Sequence, residues 1–253
     1  MTVTSIDTGT IPTIAHEEAF VLAREAYGRY ASVLAEVADE QWSLPTDCSE
    51  WTVRDMAGHM LGAMRSAASF REFVSQQMEV ARRGRRDGRP AVDHMTSIQV
   101  ERVSDLSPRE LVAETVASVE KAARGRHRLP APLRRWASFP VVMGDIAERW
   151  TLGYLVDVIL TRDTFMHRVD LTRALGTKMQ VDAEHEGRIV ADVVAEWARR
   201  HGRPFTLEVT GPAGGVFQAG GGSEPISVDA IEFCRAVSGR RPGQGLLATA
   251  VPF

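Results

Sequence analysis

Apolar residues recur at helical spacing through most of the first two thirds of the chain. From His16 to Ala38 the positions Phe20, Leu22, Ala26, Tyr30, Leu34 and Val37 fall on one face, which predicts a first helix. A second is predicted to start at Thr52, where Thr52-x-x-Asp55 is a capping-box pattern, and to run through Met64 and Phe70 to about Val80. Ser107-Pro108-Arg109-Glu110 supplies a cap, a proline in the first turn and an acid at the third position, opening a third helix through Ala123. A fourth spans about Ala147 or Thr151 to Ala174 and is stopped by Gly176. Four amphipathic segments joined by loops predict a four-helix bundle.

The texture then changes. A further helix over Ala183 to His201 precedes Phe205 to Val209 and Gly215 to Ala219, which alternate like strands, and Asp229 to Val237, which reads as helix. The expected architecture is mainly α: a helical bundle over 1–176 followed by a small α+β domain over 177–253. Residues 1 to 14 read as a loose arm, and the Pro-broken loop Glu40 to Trp51 as a crossing that two tryptophans anchor. Pro130, Pro132 and Pro140 mark another long connection.

Composition narrows the partners. At 253 residues, with 44% hydrophobic and 25% charged positions, the chain is that of an ordinary globular protein. A net charge of -3 gives no general attraction for nucleic acid or anionic membrane. No segment reaches the apolar length of a membrane span, and Met1 to Ile14 lacks a leader pattern, so a cytoplasmic location is expected. Cys48 and Cys234 form no CxxC pair and no disulfide framework. Ala81 to Arg89 is basic but free of aromatics and reads as a solvated loop. The glycine-rich Gly211 to Gly215 and Gly220 to Gly222 lack a phosphate-loop ending and read as turns.

Candidate chemistry begins with an acid four residues ahead of a histidine, a spacing that puts both on one helical face. It occurs twice, as Asp55/His59 and Asp163/His167. Asp55 has a capping duty, whereas Asp163 sits mid-helix, where Asp is a poor helix former and asks for a partner. Asp163 and His167 can clamp a divalent metal if a third ligand arrives, and His59 is the best third ligand. Asp170, one turn beyond His167, is either a hydrogen-bond acceptor for it or a solvated surface acid. His94, His127, His185 and His201 fall in loops or charged stretches and are expected to be solvated. Cys48 reads as a small packed side chain.

Pro45-Thr46-x-Cys48-x-x-Trp51-Thr52-Val53-Arg54-Asp55-x-x-x-His59-x-x-Gly62 resembles the start of the second helix in the mycothiol-dependent maleylpyruvate isomerase family, whose bundle is DinB-like. Arg162-Asp163-x-x-x-His167-Arg168-x-Asp170-Leu171-x-Arg173-Ala174-x-Gly176 resembles its second metal segment. Ser238-Gly239-Arg240 and Val251-Pro252-Phe253 resemble its C-terminal domain. The resemblance implies a divalent metal, usually zinc, held by His59, Asp163 and His167, with mycothiol as cofactor. This sequence departs from that pattern at the middle ligand, where the best-known member is similar with Glu and Asp163 is one methylene shorter.

A metal with three protein ligands and an open position binds a thiol as thiolate. Addition of that thiolate to a cis enedioate such as maleylpyruvate, rotation about the new single bond and elimination give the trans isomer. A leaving group or strained ring on a small electrophile gives a conjugate instead. Arg240 is the expected anchor for substrate carboxylates, ahead of Arg168 and Arg162. A non-catalytic metal- or ligand-binding DinB-like protein is the alternative, favoured if Asp55 or Asp170 supplies a fourth ligand. Monomer and homodimer both remain open.

Overall fold

A computed structural model describes residues 5–48, 50–143, 146–221 and 225–253. Met1 to Thr4 of the expected arm and Gly222 of the glycine-rich turns lie outside the described residues. Contacts divide the chain into two compact units, His16–Lys178 on one hand, and the described part of Met1–Ala15 with Met179–Phe253 on the other.

In the first unit α1 (His16–Ala35), α2 (Val53–Ala68), α5 (Pro108–His127) and α8 (Leu160–Ala174) pack on one another as a four-helix bundle. Its core is aromatic and methionine-rich: Tyr27, Tyr30 and Leu34 of α1 meet Met56, Met60 and Met64 of α2, with Leu111 and Ala122 of α5 and Leu171 of α8. The second helical segment is not continuous to Val80. It breaks at Ser69, whose extended backbone ends α2 and whose hydroxyl accepts from Glu72 N to cap α3 (Phe70–Asp87). Ala67-Ala68-Ser69-Phe70 carries no glycine or proline, so the break has no strong mark in the sequence. The basic run expected as a loop is largely the last turns of α3, which end at Gly88 with φ 70°.

A helix that hydrophobic periodicity did not announce, α4 (Ala91–Glu101), then packs on α2 and α3. Its polar Asp93, Thr96, Ser97 and Gln99 mask the apolar face. The proline-marked connection contains a short α6 (Ala131–Trp136) and a hairpin of β2 (Ser138–Met143) and β3 (Ile146–Thr151). The fourth segment is therefore strand, not helix, up to Thr151. From there α7 (Leu152–Tyr154) and a π-helical turn (Leu155–Ile159) lead directly into α8.

In the second unit β1 (Ile6–Asp7), β4 (Phe205–Thr210), β5 (Gly215–Ala219) and β6 (Pro225–Asp229) form a sheet in the order β1-β5-β4-β6. Part of the expected loose arm is thus a strand, β1 pairing in parallel with β5. Against the sheet lie α9 (Glu186–His201) and α10 (Ala230–Val237), with Trp197 stacked edge-on to Phe205 and Phe233. Among the described residues no helix is long and apolar enough to cross a membrane.

The bundle depends on close backbone approach. A Cβ on Gly125 of α5 would lie 2.0 Å from the Ala67 carbonyl oxygen of α2, whereas one on Gly28 of α1 would meet nothing within 4 Å. Gly125→Ala is expected to cost at least about 2 kcal/mol, and Gly28→Ala to be neutral or to gain up to about 1 kcal/mol. Urea denaturation of the two variants checks the contrast.

Candidate metal centre

The capping box at the start of α2 forms. Asp55 Oδ2 accepts from Thr52 N at 3.0 Å, and Thr52 Oγ1 accepts from Asp55 N at 3.2 Å. Asp55 is therefore held at the helix start, and His59 lies one turn deeper, only 7% exposed. On α8, Asp163 and His167 lie one turn apart, with His167 Nε2 3.2 Å from Asp163 Oδ1. His59 Nε2 stands 4.0 Å from the other carboxylate oxygen, Oδ2. The two imidazoles meet edge to face at 5.0 Å between centroids.

One ligand atom from each of these three residues falls within 4.8 Å of the others. Ligands about 2.1 Å from a tetrahedral ion stand about 3.4 Å apart, and the two imidazoles lie 3.2 and 4.0 Å from the two oxygens of the Asp163 carboxylate, spacings of that order. The donor set, two imidazoles and a carboxylate, suits a borderline divalent ion. Asp163 is 24% exposed at its side chain while both histidines are nearly covered, so the cluster opens on the carboxylate side.

Around it, Trp51 covers His59 at 4.8 Å and His167 at 5.8 Å between ring centroids. Asp170 is fully buried and its Oδ2 lies 3.2 Å from His167 Nδ1, so it is an acceptor for the ring and not a surface acid. Cys48 is half-buried and donates its thiol to the same Asp170 oxygen at 3.8 Å. Cys48, His167 and Asp170 also form a triplet of potential ligands. They gather on the Nδ1 side of His167, leaving Nε2 for Asp163 and His59.

Electrostatics separates the two imidazoles. Burial, aided by the charge of His167, lowers His59 to about 4 against the pull of Asp163, so it is neutral at physiological pH with a lone pair to give. Burial acts the same way on His167, but the Asp163 charge and hydrogen bonds to Asp163, Asp170 and Cys48 outweigh it, and its pKa lies well above the ordinary value. The proton on His167 thus sits between two carboxylates, where a cation would otherwise compensate them. Tyr30 of α1, fully covered, is pushed up by burial and by the charges of Asp163 and Asp170. Its hydroxyl is buried with no hydrogen-bond partner, a polar atom that a group held by the cluster could satisfy.

The other sequence expectations divide. Arg162 and Arg168 are buried on α8. Arg240 follows α10 in the second unit, where its N–H donates to Arg235 O. His94 is not solvated: it is 3% exposed and its Nε2 lies 2.8 Å from Asp87 Oδ1. His185 is also 3% exposed. His127 stacks on His16 and pairs with Glu17, and His201 packs edge-on to Trp197. Tyr30 read only as an apolar helix position, and the buried Gln99, packed against Gly62 of α2, lies on the unannounced α4.

A four-helix bundle that gathers two histidines and an aspartate, with a separate α+β unit, makes this a mainly α protein with a candidate metal centre. A family model for the mycothiol maleylpyruvate isomerase N-terminal domain matches residues 23–172, and the chain belongs to that family. Solved structures of mycothiol-dependent maleylpyruvate isomerase and of a mutant of it share the fold, with a TM-score of 0.55 and 15% identity over 93% of this chain and 92% of theirs. Two uncharacterized proteins of Mycobacterium tuberculosis, from strains H37Rv and CDC 1551, are 26% identical over 201 residues, 78% of this chain and 87% of theirs.

The sign of the His59 shift sets a pH dependence. An unfolded histidine titrates near 6.5 and the folded one near 4, so the unfolded state gains a proton first as pH falls. Stability present above pH 6.5 is expected to drain away toward pH 4, by at most about 3 kcal/mol. Thermal unfolding of metal-free wild type against His59→Asn across that range isolates the contribution, and the variant's curve is expected to be flatter.

Proposed function

We propose that this chain is a metal-dependent enzyme that uses mycothiol to isomerise, or to conjugate, a small electrophile of the maleylpyruvate kind. The convergence of His59, Asp163 and His167 carries the reading, and membership of the family supplies the thiol and the substrate class. A divalent ion, by its ligands zinc, together with mycothiol would supply a thiolate at neutral pH, whose addition to a conjugated cis double bond and later elimination yield the trans compound.

The chain's own residues do the rest. His59 offers Nε2 as a neutral imidazole, and Asp163 gives the anionic oxygen. His167 gives Nε2 once its proton is displaced, while Asp170 takes the hydrogen bond from Nδ1 and fixes the ring. Trp51 shields one side of both rings from water. Arg240 is assigned the substrate carboxylates on its chemistry, since a guanidinium grips a carboxylate through two parallel hydrogen bonds. Asp55 is committed to its cap and Asp170 to His167 Nδ1, which favours an open metal position over a saturated one.

The test is metal content and maleylpyruvate turnover with and without mycothiol. Wild type is expected to hold about one divalent ion per chain and to need the thiol, and His167→Ala to lose both ion and activity. Arg240→Ala is expected to raise KM about tenfold or more with the ion retained. Wild-type protein that binds neither ion nor thiol sinks the reading.

A further inference from the structure

Behind His59, on the side away from Asp163, a line of buried amides crosses from α3 to α4. Gln76 of α3 is fully covered, and its Nε2 donates to the Gly62 carbonyl at 3.1 Å and to Glu72 Oε1 at 2.9 Å. Both are acceptors only. Burial raises the Glu72 carboxyl, but hydrogen bonds from Gln76 and Arg102 outweigh it and keep the group an anion. The NH2 of Gln76 must therefore point this way, which turns its Oε1 toward Gln99, and Gln99 Nε2 donates to it at 3.2 Å. Gln99 in turn has only its Oε1 left.

That oxygen and His59 Nδ1 are both buried, and neither has a hydrogen-bond partner in the structure. The Gln99 side chain lies beside the His59 ring, so the two unpaired atoms are complementary: an oxygen that can only accept and a ring nitrogen that can carry a proton. Space for the contact is made by Gly62, where a Cβ would lie 2.5 Å from Gln99 Cβ and 2.8 Å from its Cα. Each amide orientation follows from the one before it, and the last can only accept.

We propose that Gln99 is a positioning residue: the relay from the Gly62 carbonyl through Gln76 and Gln99 holds the proton of His59 on Nδ1 and leaves the lone pair on Nε2, the nitrogen that faces Asp163. A neutral imidazole ligates through the nitrogen without the proton, so the relay selects the tautomer before any ion arrives. It does for His59 what Asp170 does for His167, through a neutral amide in place of a carboxylate. This rests on the metal-site reading above, yet the tautomer belongs to the metal-free chain and is measured without an ion.

Long-range proton–nitrogen NMR of the metal-free protein, 15N-labelled at histidine and assigned with His59→Asn, reads the tautomer near neutral pH. Wild type is expected to show a protonated Nδ1 and an unprotonated Nε2 at His59. Gln99→Met, similar in length but without an acceptor, is expected to show a mixture of tautomers and to bind zinc about 10- to 100-fold more weakly in a chelator competition. A wild-type His59 protonated at Nε2 overturns the proposal, whether or not the variant folds, and so does a Gln99→Met protein with unchanged tautomer. Wild type that shows the Nδ1–H form but binds no zinc leaves the relay standing and removes the metal reading instead.

Discussion

Two carboxylates placed inside a helical bundle must be compensated, and the first unit is arranged around that requirement. Asp163 and Asp170 flank His167 on the same helix, at opposite nitrogens of one ring. Desolvation disfavours charge on every member, but the pair of anions wins at His167 and holds its proton. At His59, with a weaker hold on Asp163 and a second imidazole nearby, desolvation wins. In the proposed metal site one imidazole would be ready to ligate and the other would have to surrender a proton, which would tie ion binding to pH.

Such a cluster needs precise backbone support, and the sequence supplies it in three ways. The capping box fixes the start of α2, so the His59 position follows from Thr52 and Asp55. Helical spacing on α8 brings Asp163, His167 and Asp170 onto one face. Glycine at 62 lets α4 approach α2 closely, with Gln99 packed directly against it. The methionine-rich face of α2 then packs against the aromatic face of α1, and Tyr30 carries that core up to the carboxylates.

Much of this was legible in the residues. The bundle helices announce themselves by periodicity and caps, and the convergence of His59 with Asp163 and His167 follows from an unexplained mid-helix acid and the family resemblance. What stayed hidden has physical reasons. Ser69 breaks a helix through a side-chain cap in an alanine-rich stretch, and α4 buries glutamine and histidine where periodicity looks for aliphatic residues. The strand Ile6–Asp7 exists because of a partner more than two hundred residues away, Phe217 and Gln218, which no local pattern encodes. His94 and His185 looked solvated because charge surrounds them in sequence, although the fold covers both.

The most direct measurement is the electronic spectrum of the cobalt(II)-loaded protein before and after addition of mycothiol. Three protein ligands with an open position require intense d–d bands of a low-coordinate ion, and a new sulfur-to-cobalt charge-transfer band when the thiol is added. A weak, six-coordinate spectrum that mycothiol leaves unchanged would contradict the account at its centre.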